Sequence, residues 1–345
     1  MGKRIAMIHA AALPGGAATG IGGLPHLDAG LAVSFALRNM EVPSIPRLPR
    51  RSPAEGAIAQ AMVGMHGITI GQYGSVSVHP EQIDSLVPLA TDLHHDALVG
   101  FRTFLDLAPL ELGCDYDGWV KWQFVGPVTF GLALMRAGVP MSEAFSAAVR
   151  AVCTRVQHLL EAVAAALPHC RQIVFIEEPA FGELMQLGFP IAPETAIDLV
   201  SGALAAIETT AISGLHCCGG GDIPSQLAAG PAIISLPVKP EIAEAAGYLI
   251  RFMESGGYIA WGVVPTTGPI TTSAERPWRQ LCALWCELVR RGADPTLLRT
   301  QALVTPECGL SGHTPAVAQR VHAMVAEIGC RVRDQSTATR WVLGA

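Results

Sequence analysis

Charge is scarce in this chain. Only 15% of its 345 residues are Asp, Glu, Lys or Arg, and the formal balance is −6. A nucleic-acid partner calls for a basic stripe or patch, and this composition offers none. Nor is there an uninterrupted apolar run of roughly twenty residues, the length a membrane-spanning helix needs. The Ala-rich stretch 149–167 is broken by Arg150, Arg155, His158 and Glu161. The apolar run 5–13 is short, lacks a convincing cleavage site and meets Gly and Pro at once, so no export signal is expected. Also missing is a dinucleotide fingerprint. The GGGD at 219–222 has neither the GxGxxG spacing nor a Lys-Ser or Lys-Thr ending, which rules out a phosphate loop. No internal repeat and no low-complexity tail is found.

Half of the residues are hydrophobic, enough to build a large core and too many for a disordered chain. Apolar strand-like runs fall at 122–125, 173–176, 211–215, 232–236, 258–264 and 301–304. Helical periodicity lies between and beyond them, at 141–167, 193–207, 241–254, 277–291 and 314–328. Ser142 precedes one helical run, Pro315 suits a first helical turn, and Gly256, Gly257 and Gly292 follow helices. Strand–helix alternation means parallel strands with crossover helices. Six such units follow residue 121, and eight would close a (β/α)8 TIM barrel. The expectation is one α/β barrel domain over 1–345, with long N-terminal loops. An open doubly wound sheet is the runner-up. The Pro- and Arg-rich segment 42–53 reads as an extended surface loop or a basic substrate lid.

Nine cysteines without an export signal favour reduced thiols and a cytoplasmic location. Cys153, Cys170 and Cys330 lie in or beside apolar helical patterns, where a thiol serves as a small hydrophobe. Cys282 and Cys286 share a helix face with Leu and Trp and read as packing. His216, Cys218 and Cys308 differ. GLHCCGGGD (214–222) and TPECGL (305–310) place each of them just past an expected strand. Residues i and i+2 of an extended chain point the same way. An imidazole and two thiolates suit Zn2+, with a coordination position left open. The plainer alternative is a satisfied histidine and two buried thiols. Cys217 points the other way.

In a barrel the strand-end loops build the active site. Glu177 and Glu178 follow a very apolar strand, and because they are adjacent only one can face the mouth. The mouth-facing carboxylate could bind a substrate amine or act as acid or base; periodicity leaves open which it is. Trp261 stands near another strand end and is assigned to substrate contact. GIGGLPH (20–26) would let backbone approach a ligand closely, or is a plain turn. His26 and His313 suit loop or capping roles, and His94 and His95 an exposed helix face.

Taken together, TGIGGLPH, LPRRSPAE, KWQFVGPVTF, VFIEEPAF, GLHCCGGGD, YIAWGVVP and LVTPECGL resemble the superfamily of cobalamin-independent methionine synthase and uroporphyrinogen decarboxylase. The similarity is to short, single-barrel relatives of the synthase's C-terminal half, and it runs from residue 19 to 310. It implies a zinc-dependent methyltransferase acting on a thiol, homocysteine or a related one. The resemblance places the metal on His216, Cys218 and Cys308, the substrate ammonium on Glu177, and the substrate carboxylate on the Gly22–Gly23 turn. Three departures stand out. IISLPVKP puts Pro237 near the family's glutamate ligand, VVPTTGP lacks the family's histidine, and Gly23 replaces a serine. With no second barrel to hold a folylpolyglutamate, a methyl-corrinoid protein becomes a candidate donor. Three other functions stay open: transfer of larger alkyl groups to a thiol such as coenzyme M, a non-catalytic accessory protein, and a metal-free decarboxylase-like lyase.

Overall fold

The computed structural model describes residues 13–71, 75–218 and 220–337. The apolar run at 5–12 and Gly219 lie outside the described residues. Seven parallel strands form one curled sheet: β1 (Ala17–Ala18), β2 (Trp119–Val125), β3 (Arg171–Glu177), β4 (Ile212–His216), β5 (Ile233–Pro237), β6 (Tyr258–Val264) and β7 (Ala302–Pro306). Their order is β1-β7-β6-β5-β4-β3-β2, so neighbours in sequence are neighbours in space from β2 onward. That is the order of a (β/α)8 barrel.

The eighth position is filled by the segment expected to be a surface loop or lid. Residues 42–48 pass between β1 and β2. Val42 pairs in parallel with Thr19, and Ser44 with Lys121. Val42 N donates to Ala18 O at 3.1 Å, Ile45 N donates to Lys121 O at 2.8 Å, and Lys121 N donates to Pro43 O at 2.9 Å. Val42, Ile45 and Leu48 are buried. Proline explains why this strand position was illegible. Pro43 and Pro46 have no N–H to give a ladder, so the segment forms bridges and no regular strand.

Strand parity divides the core. Ile173 and Phe175 of β3 meet Ile212, Ile233 and Ala260 inside the barrel. Val174 and Ile176 face the helices. The helices that cover the outside include those expected near 141–167, 193–207, 277–291 and 314–328, together with several that were not expected. They include α1 (Ala29–Asn39), α2 (Ala57–Met62), α3 (Val99–Leu112), α4 (Pro127–Arg136), α5 (Met141–Ala166) and α6 (Pro193–Ile207). After them come α7 (Ile223–Ala228), α8 (Ala246–Glu254), α9 (Glu275–Arg290), α10 (Pro295–Thr300) and α11 (Pro315–Thr337).

Some expectations need correcting. The helix expected at 241–254 is a 3₁₀ segment, Pro240–Ala245, that hands over to α8. Ser142 lies inside the first turn of α5, whose cap position is Pro140. Cys286 and Cys330 are exposed and so are not core residues. His95 is not on a helix face: it caps a 3₁₀ turn, its Nδ1 accepting from Ala97 N at 3.1 Å. Among the described residues no helix is long and apolar enough to cross a membrane.

Candidate metal centre

The carboxyl ends of β2, β3, β4 and β7 put polar side chains at one mouth. His216 ends β4 and continues the inward parity of Ile212. It is buried, and its Nδ1 lies 3.0 Å from Ser235 Oγ on β5. When Nδ1 donates its proton to that hydroxyl, Nε2 keeps a free lone pair. Nε2 points to Cys218, whose Sγ is 3.2 Å away. The loop after β7 brings Cys308 Sγ within 3.2 Å of Cys218 Sγ. All three donor atoms lie within 4.8 Å of one another. Cys217 turns into the helix-side core and takes no part.

Two thiols this close do not ionise independently. The hydrogen bond from Cys218, helped by His216, draws the first proton off easily at Cys308, whose pKa is lowered to about 4. The Cys218 pKa is raised, first by its hydrogen bond to Cys308 and then by burial. A divalent cation between the sulfurs removes that conflict by favouring both thiolates. The residues therefore fit zinc. They offer one neutral imidazole and two sulfurs, a borderline-soft donor set, and leave a position for a further ligand. Among the described residues no carboxylate joins the trio. Pro237 does close β5 where the resemblance leads one to look for a glutamate. Nearby Glu307 is turned aside, into an ion pair with Lys239 at 2.8 Å.

The two glutamates part as adjacency requires. Glu178 is fully buried on the helix side and caps α4. Its carboxylate accepts from Val128 N and Thr129 N, both at 2.8 Å, and from the Thr129 hydroxyl at 2.6 Å. Burial raises its pKa to about 7 against the pull of those donors. Glu177 faces the mouth beside His216, its register partner on β4. Its Oε1 accepts from Gln123 Nε2, and its Oε2 pairs with Arg47 Nη2 at 2.5 Å. Below them Lys121 Nζ donates to Gly20 O at 2.8 Å and Gln123 Oε1 at 2.6 Å, and sits over the Phe175 ring.

Two of these residues were missed. Lys121 and Gln123 share the inward parity of Trp119, and polar side chains on that face were the available signal. Arg47 was visible only as one basic group, beside Arg50 and Arg51, that a decarboxylase-like lyase could use; its inward position gave no signal, because its segment does not read as a strand.

Gly22 and Gly23 are brought to the site, where they pack against protein backbone. Gly22 has φ +70°, and a Cβ there would lie 2.5 Å from Gly309 Cα, next to Cys308. Leu310 N donates to Gly23 O at 2.8 Å. Trp261 is a correction. It is fully buried on the outward side of β6, edge-on to Trp285 of α9, because 258 and 260 take the inward parity. His313 also reaches further than a capping role. Its Nε2 meets Thr266 O at 2.8 Å in the loop after β6, the loop noted above for lacking a histidine.

No family model and no curated protein matches this sequence. Solved structures do. A B12-independent methionine synthase from Shewanella sp. W3-18-1, in complex with selenomethionine, matches over 93% of this chain and 98% of its own. The TM-score is 0.62 and the identity 14%. A second structure, from Listeria monocytogenes and only provisionally assigned as a vitamin-B12-independent methionine synthase, matches over 89% and 85% with TM-score 0.55 and 13% identity. At such identities the likeness is one of fold: this chain is an α/β barrel of the architecture those structures share.

Proposed function

We propose that this protein is a zinc-dependent methyltransferase that passes a methyl group to a small thiol, homocysteine or a related one. The observation that carries this reading is the convergence of His216, Cys218 and Cys308. The end of β4, the loop after it and the loop after β7 bring three donor atoms within 4.8 Å of one another at the mouth of a barrel. The fold likeness to B12-independent methionine synthases supports it. Zinc held there would lower the pKa of a bound thiol, which when free is only a few per cent ionised at pH 7, and so supply a thiolate nucleophile.

The chain's own groups do the rest. Ser235 holds the His216 ring plane. The interior packing of Phe175, Ile212 and Ile233 closes the barrel beneath and keeps water from entering there. Glu177, Arg47 and Gln123 form a polar ledge beside the trio and orient the substrate's non-reacting end. The methyl donor in this proposal is a methyl-corrinoid protein or a folate-type compound.

Elemental analysis and zinc-edge X-ray absorption test the reading. We expect about one zinc per chain, in a shell of one nitrogen and two sulfurs. A further sulfur should enter when a thiol is added. A purified chain that never holds zinc, even when loaded, defeats the proposal.

A further inference from the structure

Glu177 is the residue to which the resemblance assigns a substrate ammonium, yet both of its oxygens are engaged. Gln123 holds one and Arg47 the other, and the ion-paired side chains are only 12% (Arg47) and 8% (Glu177) exposed. Arg47 cannot readily withdraw. Its carbonyl accepts from Leu24 N at 2.9 Å, its residue bridges Gly23, and Pro46 and Pro49 stiffen the chain on either side. An ammonium would have to break a buried pair and leave a guanidinium without its counter-charge, which is strongly unfavourable. Arg47 also has donors to spare. Its Nε and Nη1 are buried and have no hydrogen-bond partner. Unpaired buried donors are costly and call for an acceptor.

We infer that the mouth selects a thiol carrying an anionic group, a carboxylate or sulfonate, and no ammonium, with Arg47 as the residue that receives the anion and Glu177 as the residue that positions Arg47. The inference rests on the thiol-binding reading above and names its substrate class. Glu177 and His216 are register partners on adjacent strands, and neighbouring strands lie roughly 4.8 Å apart. The Arg47–Glu177 pair and the trio thus sit on neighbouring strand ends, so the thiols tried below carry short chains. Lys121, one level below, adds no competing demand because Gly20 and Gln123 already hold its Nζ.

Charge reversal at the ledge tests this, read by binding and not by turnover. Protein loaded with Co2+ in place of zinc is titrated with 3-mercaptopropionate, 2-aminoethanethiol, homocysteine and ethanethiol, following the sulfur-to-cobalt absorption band. The wild type is expected to bind 3-mercaptopropionate about tenfold or more tightly than 2-aminoethanethiol, the scale of one charge-assisted hydrogen bond. Arg47→Met frees Glu177 and should invert that order, which a merely structural role would not do. Should Arg47→Met fail to fold, the double variant Arg47→Met, Glu177→Gln carries the test, since it removes both charges together. It should bind the charged thiols no better than ethanethiol.

Homocysteine or 2-aminoethanethiol binding the wild type at least as tightly as 3-mercaptopropionate would overturn the inference. So would an unchanged order in Arg47→Met, or a preference kept by the double variant. In each of those cases the thiol-binding reading survives. If cobalt binds but no thiol of any charge perturbs its spectrum, that reading fails and this inference falls with it.

Discussion

Among single residues, Lys121 holds a charged group against full burial. It is an inward-facing lysine inside a barrel, and burial lowers its pKa to about 7 from the ordinary 10.5, Glu177 opposing and Arg47 assisting. A lysine whose folded pKa lies below its unfolded value binds fewer protons when folded. Between about 7 and 10.5, therefore, the unfolded chain takes up more protons, and stability rises with pH. Urea unfolding at pH 7 and pH 9 should show the wild type gaining more than Lys121→Met, which keeps the aliphatic bulk and cannot titrate. Equal gains would mean that the ammonium is not desolvated as its position implies. The same scale separates what a reader of the sequence could and could not find. His216, Cys218 and Cys308 announce themselves by residue type and by position after a strand. Arg47 carries equally sharp chemistry and stayed hidden, because nothing in its proline-rich surroundings reveals that it faces inward.

At the scale of elements, the telling junction is between β3 and α4. Glu178 leaves the end of β3 on the helix side and closes the first turn of α4, where Pro127 already supplies the first helical residue. An N-terminal helix turn has unsatisfied N–H groups and a partial positive charge, and a carboxylate answers both. Glu178→Ala should therefore destabilise the fold by about 2–4 kcal/mol, through lost charge-assisted hydrogen bonds and orphaned buried donors. Chemical denaturation measures it, and a loss within about 0.5 kcal/mol, the usual range for an unremarkable surface change, would show that the cap is dispensable. That Glu177 and Glu178 must face opposite ways was legible from adjacency alone. Periodicity did not say which of them faced the mouth, since that depends on where β3 starts its alternation; only the resemblance singled out Glu177. The same gap misplaced Trp261: a strand-end tryptophan was visible, but its parity was not.

For the whole molecule, the trio ties distant parts of the chain. Cys218 follows β4 and Cys308 follows β7, with β5 and β6 between them in the sheet. A metal that bridges them binds the folded state and has no preformed site in the unfolded one. Thermal melting should then rise with added zinc, and mass action gives about 4 kcal/mol of stabilisation at a thousandfold excess over Kd. His216→Ala should abolish most of that rise when the melting temperature with zinc is compared with the variant's own metal-free value, which burial of His216 leads one to expect below the wild type's. A zinc-dependent rise that persists in His216→Ala would place the ion elsewhere.

By itself the sequence determined the alternation of strand and helix, the barrel class and the three metal-ligand candidates. Those features are written in local periodicity, in strand-end position and in residue chemistry that only a few types can supply. The tertiary structure alone decided that 42–48 completes the barrel, that Arg47 occupies the Glu177 carboxylate, and that Trp261 packs outward. Each of these depends on which strands become neighbours and in what register. That is set by the closure of the whole sheet, and no window of the chain contains it.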